Sequence, residues 1–239
     1  MIRTIIWFIY FWLDFLFKIP NLYYAKKLKK DNKDNELEIY LNKISKKWSN
    51  NLLKLAGIKV KVVGMENIPE DENVLFVSNH QSNFDIPILL GSLNKRVSFI
   101  AKEEIKKMPF IGEWMEIQNC VFIERDDPRQ AVRAINKGAK FIENGQAMVI
   151  FPEGTRSVDG NLNEFKAGSF KLAVKSKAKI IPITINGSIK AMRKGTLLIK
   201  PTEVVLTISK PIVIDKNERD TSLMRDLVVA EIEKNLRGE

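Results

Sequence analysis

Asn73-Val74-Leu75-Phe76-Val77-Ser78-Asn79-His80-Gln81-Ser82-Asn83-Phe84-Asp85 decides the fold. Its first half is an apolar run between polar residues and reads as a short buried strand. Its second half contains the one histidine of the chain. Histidine is the side chain whose unperturbed charge changes near neutral pH, so His80 is the first candidate for proton transfer. On one regular helix the His80–Asp85 spacing sets the two side chains roughly 140° apart, and they do not meet. A helix that begins just after a looped His80 puts Asp85 in its first turn. There it can accept a hydrogen bond from one ring nitrogen and leave the other facing outward as a base. The pair then sits at the carboxyl end of a strand, where open α/β sheets place their sites. Spacing alone equally permits a lone histidine satisfied by local hydrogen bonds.

Working outward, strand and helix patterns alternate from Gly57 onward. Ile58–Val63, Asn73–Ser78, Arg96–Ala101, Cys120–Glu124, Gln146–Phe151 and Lys179–Asn186 read as strands, with a late pair at Leu197–Lys200 and Glu203–Ser209 around Pro201. Phe84–Leu93, Pro109–Glu116, Asp127–Asn144, Ala167–Lys177 and Thr221–Arg237 read as helices, the last capped by Thr221 or Ser222. This order predicts an α/β fold: a mainly parallel sheet covered by helices on both faces. The one boundary falls near Leu55–Ile58. It separates an N-terminal two-helix segment, residues 1–56, from an α/β domain, residues 57–239.

A hydrophobic share of 45% suits a globular core, and a net charge of +10 implies a negatively charged partner unless it serves solubility alone. One cysteine, Cys120, excludes an intramolecular disulfide framework, and one His with one Cys argues against an ordinary zinc site. No metal or cofactor is expected.

Before the boundary, Ile5–Leu13 is an unbroken apolar run, interrupted by Asp14 and resumed at Phe15-Leu16-Phe17. As a helix, Ile5–Phe17 spans about 20 Å against a hydrocarbon core of about 30 Å. A central Asp costs a spanning helix about 2.5–3.5 kcal/mol. The segment is therefore not read as transmembrane. Aromatics in its apolar part and the lack of a small-residue cleavage site argue against a signal peptide. Trp7, Tyr10, Trp12, Tyr23 and Tyr24 are types that settle at a membrane boundary, and Lys26, Lys27, Lys29 and Lys30 suit anionic headgroups. Leu37, Leu41, Ile44, Trp48, Leu52 and Leu55 mark a second amphipathic helix. We expect a helical hairpin embedded in one leaflet of an anionic membrane, on its cytoplasmic face, through Trp7, Phe8, Phe11, Trp12, Phe15, Lys26 and Lys27. The second helix could equally pack on the main domain.

Four strand ends carry chemistry-bearing residues. They hold His80, Lys102, Arg125 and the run Glu153-Gly154-Thr155-Arg156-Ser157. Parallel strands would open all four on one edge, placing a proton shuttle beside three cations. Such a crevice suits a phosphate ester whose neighbouring hydroxyl needs activating. Gly154 lets the backbone approach a ligand, and Arg156 offers a fork of donors to phosphate oxygens. Arg125 could instead pair with Glu124, Asp126 or Asp127. Glu153 reads best as a structural partner of Arg156.

These residues resemble a known family. Asn79–Asp85 matches the His-x4-Asp signature of the glycerolipid acyltransferases. Val121-Phe122-Ile123-Glu124-Arg125 resembles their second block, and Phe151-Pro152-Glu153-Gly154-Thr155-Arg156-Ser157 their third. Ile180-Ile181-Pro182-Ile183 looks like the fourth, with its proline at Pro182. The four blocks stand in family order over roughly residues 74–185. The bacterial members that acylate 1-acylglycerol 3-phosphate are similar in length, in basic character and in an N-terminal membrane-associated helix pair. One departure stands out: Asn119-Cys120 occupies the region where the second block often begins with glycine.

The resemblance implies transfer of a fatty acyl group from a thioester, acyl-CoA or acyl carrier protein, to a hydroxyl of lysophosphatidic acid. For that reaction, chemistry assigns His80 as base, Asp85 as the residue that fixes its tautomer, and Arg156 and Lys102, with Arg125 third, as phosphate ligands. The nucleophile is the substrate's own hydroxyl, so no acyl-enzyme is expected. Glycerol 3-phosphate or another lysophospholipid is the alternative acceptor. A basic protein that coats membranes or binds nucleic acid is the alternative of another class. Nucleic acid is not expected as a partner, because the aromatics crowd into the first 24 residues and the core instead of interleaving with basic residues on an open face.

Overall fold

The computed structural model describes residues 1–124, 127–215 and 218–238. The chain runs α1 (Ile2–Phe17), α2 (Ile19–Lys30), α3 (Asp34–Ala56), β1 (Ile58–Val63), β2 (Val74–Ser78), α4 (Asp85–Ser92), β3 (Val97–Lys102), α5 (Glu103–Lys106), α6 (Ile111–Ile117), β4 (Val121–Ile123), α7 (Pro128–Glu143), β5 (Ala147–Ile150), α8 (Lys171–Ser176), β6 (Lys179–Asn186), β7 (Thr202–Ile208) and α9 (Thr221–Arg237).

The strands form a seven-stranded sheet in the order β1-β7-β6-β2-β5-β3-β4. From β6 to β4 every neighbouring pair is parallel, while β7 runs antiparallel to β6 and carries β1 parallel to itself. β2 shows why the sheet must be covered twice. Its side chains alternate between faces, and all of them are apolar up to Ser78. Val74 and Phe76 join the core beneath α1, α3 and α4, whereas Leu75 and Val77 join the core beneath α7, α8 and α9. All four are at most 1% exposed.

Pro182 lies inside central strand β6, where proline is normally excluded. Its carbonyl accepts from Ser209 N at 3.0 Å, so its polar edge faces β7 and not β2. The missing donor falls past Ile208, the last residue of β7, and the β2–β6 ladder stays intact.

Several expectations are corrected. The N-terminal segment has three helices, because the chain turns at Lys18 and restarts with Pro20 in the first turn of α2. Leu197–Lys200 forms no strand; Ile199 is buried and its N–H bonds to Thr4 Oγ1. Asp220, not Thr221 or Ser222, caps α9 by accepting from Ser222 N and Leu223 N. Asn119 itself takes φ +62°, the left-handed conformation that glycine would otherwise supply and asparagine tolerates.

The membrane assignment of Trp7 and Phe15 is also corrected. Trp7 is 6% exposed, donates from its indole N–H to Leu52 O at 3.0 Å, and sits edge-on to Phe84. Phe15 is equally buried, against Phe11 and Trp48. Phe8 and Phe11 are partly buried against the same core. Asp14 turns inward to Lys18 at 2.7 Å, so the charge that interrupts the sequence does not interrupt the outer surface of α1. That surface is Ile2, Ile5, Ile6, Ile9, Trp12, Leu13, Leu16 and Phe17. Lys26 pairs with Glu113 of α6, and Lys27 is exposed. No helix among the described residues is long and apolar enough to cross a membrane.

Candidate active site

The site begins where β2 ends. Asn79 continues the ladder with its side chain: Nδ2 donates to Ile185 O at 2.9 Å, and Ile185 N donates to Oδ1 at 2.8 Å. This fixes the first residue beyond the strand. His80 follows in a loop, and α4 starts at Asp85. The fully buried Asp85 carboxylate directs Oδ2 at His80 Nδ1, 2.7 Å away, and accepts from Gln81 N at 2.7 Å and Ser82 N at 2.8 Å. Those bonds hold the tight turn and place the proton on Nδ1, leaving Nε2 as the free acceptor. The imidazole stacks on Phe151, with ring centroids 4.1 Å apart and planes 18° off parallel.

The loop after β5 locks this turn from the next strand. Glu153 Oε1 accepts from His80 N at 2.6 Å, and Oε2 accepts from Asn163 N at 3.0 Å and Asn163 Nδ2 at 2.6 Å. Ser157 N donates to His80 O at 2.8 Å. Burial pushes the Glu153 pKa above the usual carboxylate range, opposed by the hydrogen bonds from Asn163 and His80. Glu153 is therefore a structural residue of the His80 turn, and the expected pairing with Arg156 is corrected. Gly154 takes φ +71° and closes the turn through its N–H to Phe151 O at 3.0 Å.

Arg156 is half-buried and has no ion pair or side-chain hydrogen bond among the described residues. Lys102 is exposed at the last position of β3, the strand beyond β5, and likewise carries no ion pair there. It shares the carboxyl edge with His80 at two strand spacings of about 4.8 Å each. Arg125 lies outside the described residues. Thr155 is exposed and accepts from Lys194 Nζ at 2.9 Å. Sequence reasoning singled out neither Asn79 nor Phe151 nor Asn163 for a role. The first two lie inside the quoted blocks; Asn163 carries no local signal.

Cys120 is buried, and desolvation pushes its thiol up to about 11, which leaves it unreactive. No cluster of His, Cys, Asp and Glu able to hold a metal exists among the described residues. The arrangement can remove a proton at Nε2 of an oriented imidazole, along an edge whose cations have no counter-charge among the described residues.

A protein-family model described as Acyltransferase matches residues 59–186. A chloroplastic 1-acyl-sn-glycerol-3-phosphate acyltransferase of Arabidopsis thaliana is 40% identical over 156 residues, 64% of this chain and 44% of its own length. The chain thus spans under half of that plant relative. The 1-acyl-sn-glycerol-3-phosphate acyltransferase of Borreliella burgdorferi is 32% identical over 76% of this chain and 74% of its own length. The crystal structure of the 1-acyl-sn-glycerophosphate (LPA) acyltransferase PlsC from Thermotoga maritima superposes with a TM-score of 0.85 at 28% identity, covering 99% of this chain and 95% of that one. A family match over more than half of the residues, and a bacterial relative matched over most of its length, show that this chain belongs to the acyltransferase family.

Proposed function

We propose that this acyltransferase moves a fatty acyl group from acyl-CoA or acyl carrier protein to the sn-2 hydroxyl of 1-acylglycerol 3-phosphate, giving phosphatidic acid. The observation that carries the reading is the 2.7 Å bond from His80 Nδ1 to a fully buried Asp85. The names of the relatives support the acceptor.

His80 Nε2 takes the hydroxyl proton as the substrate oxygen attacks the thioester carbonyl carbon, a contribution of about 10²–10⁴-fold. Asp85 holds the imidazole tautomer and stabilises the imidazolium that forms. The tetrahedral intermediate collapses with cleavage of the C–S bond. The thiolate leaves and receives the proton from His80. Transfer is direct, with no acyl-enzyme. Arg156 and Lys102 neutralise the acceptor's phosphate, and the N–H groups of Thr155 and Arg156, which bond no acceptor among the described residues, are donors suited to an oxyanion. The outward apolar surface of α1, with Lys27, rests in one leaflet on the cytoplasmic face, where the acceptor resides.

The test is thioester cleavage by purified protein with lysophosphatidate, glycerol 3-phosphate or no acceptor, with His80→Ala as the blank. Cleavage is expected only with lysophosphatidate and only in wild type. Faster turnover with glycerol 3-phosphate would overturn the acceptor. A trapped acyl-protein would overturn direct transfer.

A further inference from the structure

Between β6 and β7 the chain makes a long excursion whose base is buried and whose tip is basic. Ala191, Met192 and Ile199 are at most 4% exposed, while residues 193–198 are exposed. The base is pinned at three places. Lys200 N donates to Ala191 O at 2.9 Å, Ser82 Oγ to Met192 O at 2.9 Å, and Ile199 N to Thr4 Oγ1 at 3.0 Å. Ser82 belongs to the turn that holds His80, and Thr4 belongs to α1. The tip Arg193-Lys194-Gly195-Thr196 is a closed turn, with Thr196 N on Arg193 O at 3.1 Å and Gly195 at φ +81°.

From this turn Lys194 reaches back to the β5 loop, where Nζ donates to Thr155 Oγ1 at 2.9 Å. Thr155 directly precedes Arg156. A hydroxyl satisfies one of the three ammonium donors and none of the charge. No carboxylate pairs with Lys194 among the described residues. Lys194 is thus tied to the residue that precedes Arg156, neither cation has a carboxylate partner among the described residues, and the next residue, Ser157, donates its N–H to His80 O. A phosphate bound at Arg156 offers the remaining ammonium donors of Lys194 an anionic acceptor.

We infer that Lys194 is a further binding residue for the acceptor, engaging its phosphomonoester beside Arg156. The inference rests on the proposed acceptor. The same chemistry would serve a phosphate of the donor's coenzyme, and the geometry favours the acceptor because the lysine is tied to the loop that borders His80. The α1 contact through Thr4 gives the turn a second purpose. Leu197 and Leu198 are exposed beside it, so the lysine is presented where an apolar surface adjoins the site.

The test compares wild type with Lys194→Ala, Lys194→Gln and Lys194→Arg, with Lys175→Ala on α8 as an equal-charge control. Rates are measured in neutral-detergent mixed micelles, varying lysophosphatidate at saturating acyl-CoA and then the reverse. The expected result is a rise of about tenfold or more in the acceptor KM for Lys194→Ala and Lys194→Gln. kcat should stay within about twofold, the acyl-CoA KM should be unchanged, and Lys194→Arg should restore most of the loss. Lys175→Ala should match wild type. An unchanged acceptor KM, or a rise confined to the acyl-CoA KM, overturns the inference. So does an effect that disappears in micelles and is seen only on anionic vesicles. Wild-type inactivity toward lysophosphatidate would instead remove the proposed acceptor, which keeps the two failures apart.

Discussion

Along one edge of the sheet, the His80–Asp85 pair and the cations beside it are held in opposite ways. The imidazole is fixed by a set of hydrogen bonds, although Asp85 Oδ1 is itself buried without a partner among the described residues. Asp85 Oδ2 accepts from the ring and two backbone N–H groups, Glu153 from His80 N, and Asn79 binds Ile185 twice. Arg156 and Lys102 have no counter-charge among the described residues. A proton acceptor must be positioned before the reaction, and hydrogen bonds from rigid elements do this. A phosphate ligand must keep its charge available, and an internal salt bridge would compete with the substrate. The contrast separates a half of the site that orients from a half that receives.

The strongest challenge to that contrast is Asp85→Asn. It preserves shape but favours the wrong imidazole tautomer, so kcat should fall by about 10²–10⁴-fold with little change in the acceptor KM. A kcat near wild type would mean that orientation is supplied elsewhere.

The same division between satisfied and open surfaces runs through α1. Trp7→Ala should cost about 3–5 kcal/mol in chemical denaturation, because it empties a site against Phe84 and Leu52. Trp12→Ala should leave stability within about 0.5 kcal/mol and instead weaken flotation with anionic vesicles. Equal effects of the two on stability would erase the inside–outside distinction.

Arg156→Ala probes the receiving half. We expect the lysophosphatidate KM to rise about 10–100-fold while kcat changes far less. A fall in kcat alone would move Arg156 to the transition state.

The smallest effect concerns Glu153. Burial raises its pKa above the ordinary 4.5, so its stabilising contribution is complete below that value and fades as pH rises through the folded-state pKa. The melting temperature of wild type relative to Glu153→Gln should therefore improve as pH falls through the raised folded-state pKa toward 4.5. A flat or reversed trend would show that the bonds from Asn163 and His80 outweigh burial.

The strand and helix alternation was legible because period and length are local properties. Val74–Ser78 reads as buried from its own residues, and the sheet is mainly parallel, as that alternation implied. The position of Asp85 at the first turn of α4 was also readable, since a strand and a helix with a short loop between them leave few arrangements. Which apolar residues of α1 face inward was not. Ile5 and Trp7 are both apolar and differ only in what packs against them from α3 and α4. Asp14 misled for the same reason, because its neighbour Lys18 lies one helical turn on and both turn inward. Leu197–Lys200 has strand-like composition, yet it finds Thr4 in place of a neighbouring strand.

Residue order alone determined that the chain would form a mainly parallel sheet between helices, with its lone imidazole at a strand end and a carboxylate within reach. These features follow from side-chain periodicity and from bonds spanning few residues. The tertiary structure decided the partners that come from afar: Glu153 on His80 N, Ile185 on Asn79, Lys194 on Thr155 and Trp7 beneath α4. The physical reason is that hydrogen bonds and van der Waals contacts act over a few ångströms, and only the folded sheet brings residues 39 to 106 positions apart within that range.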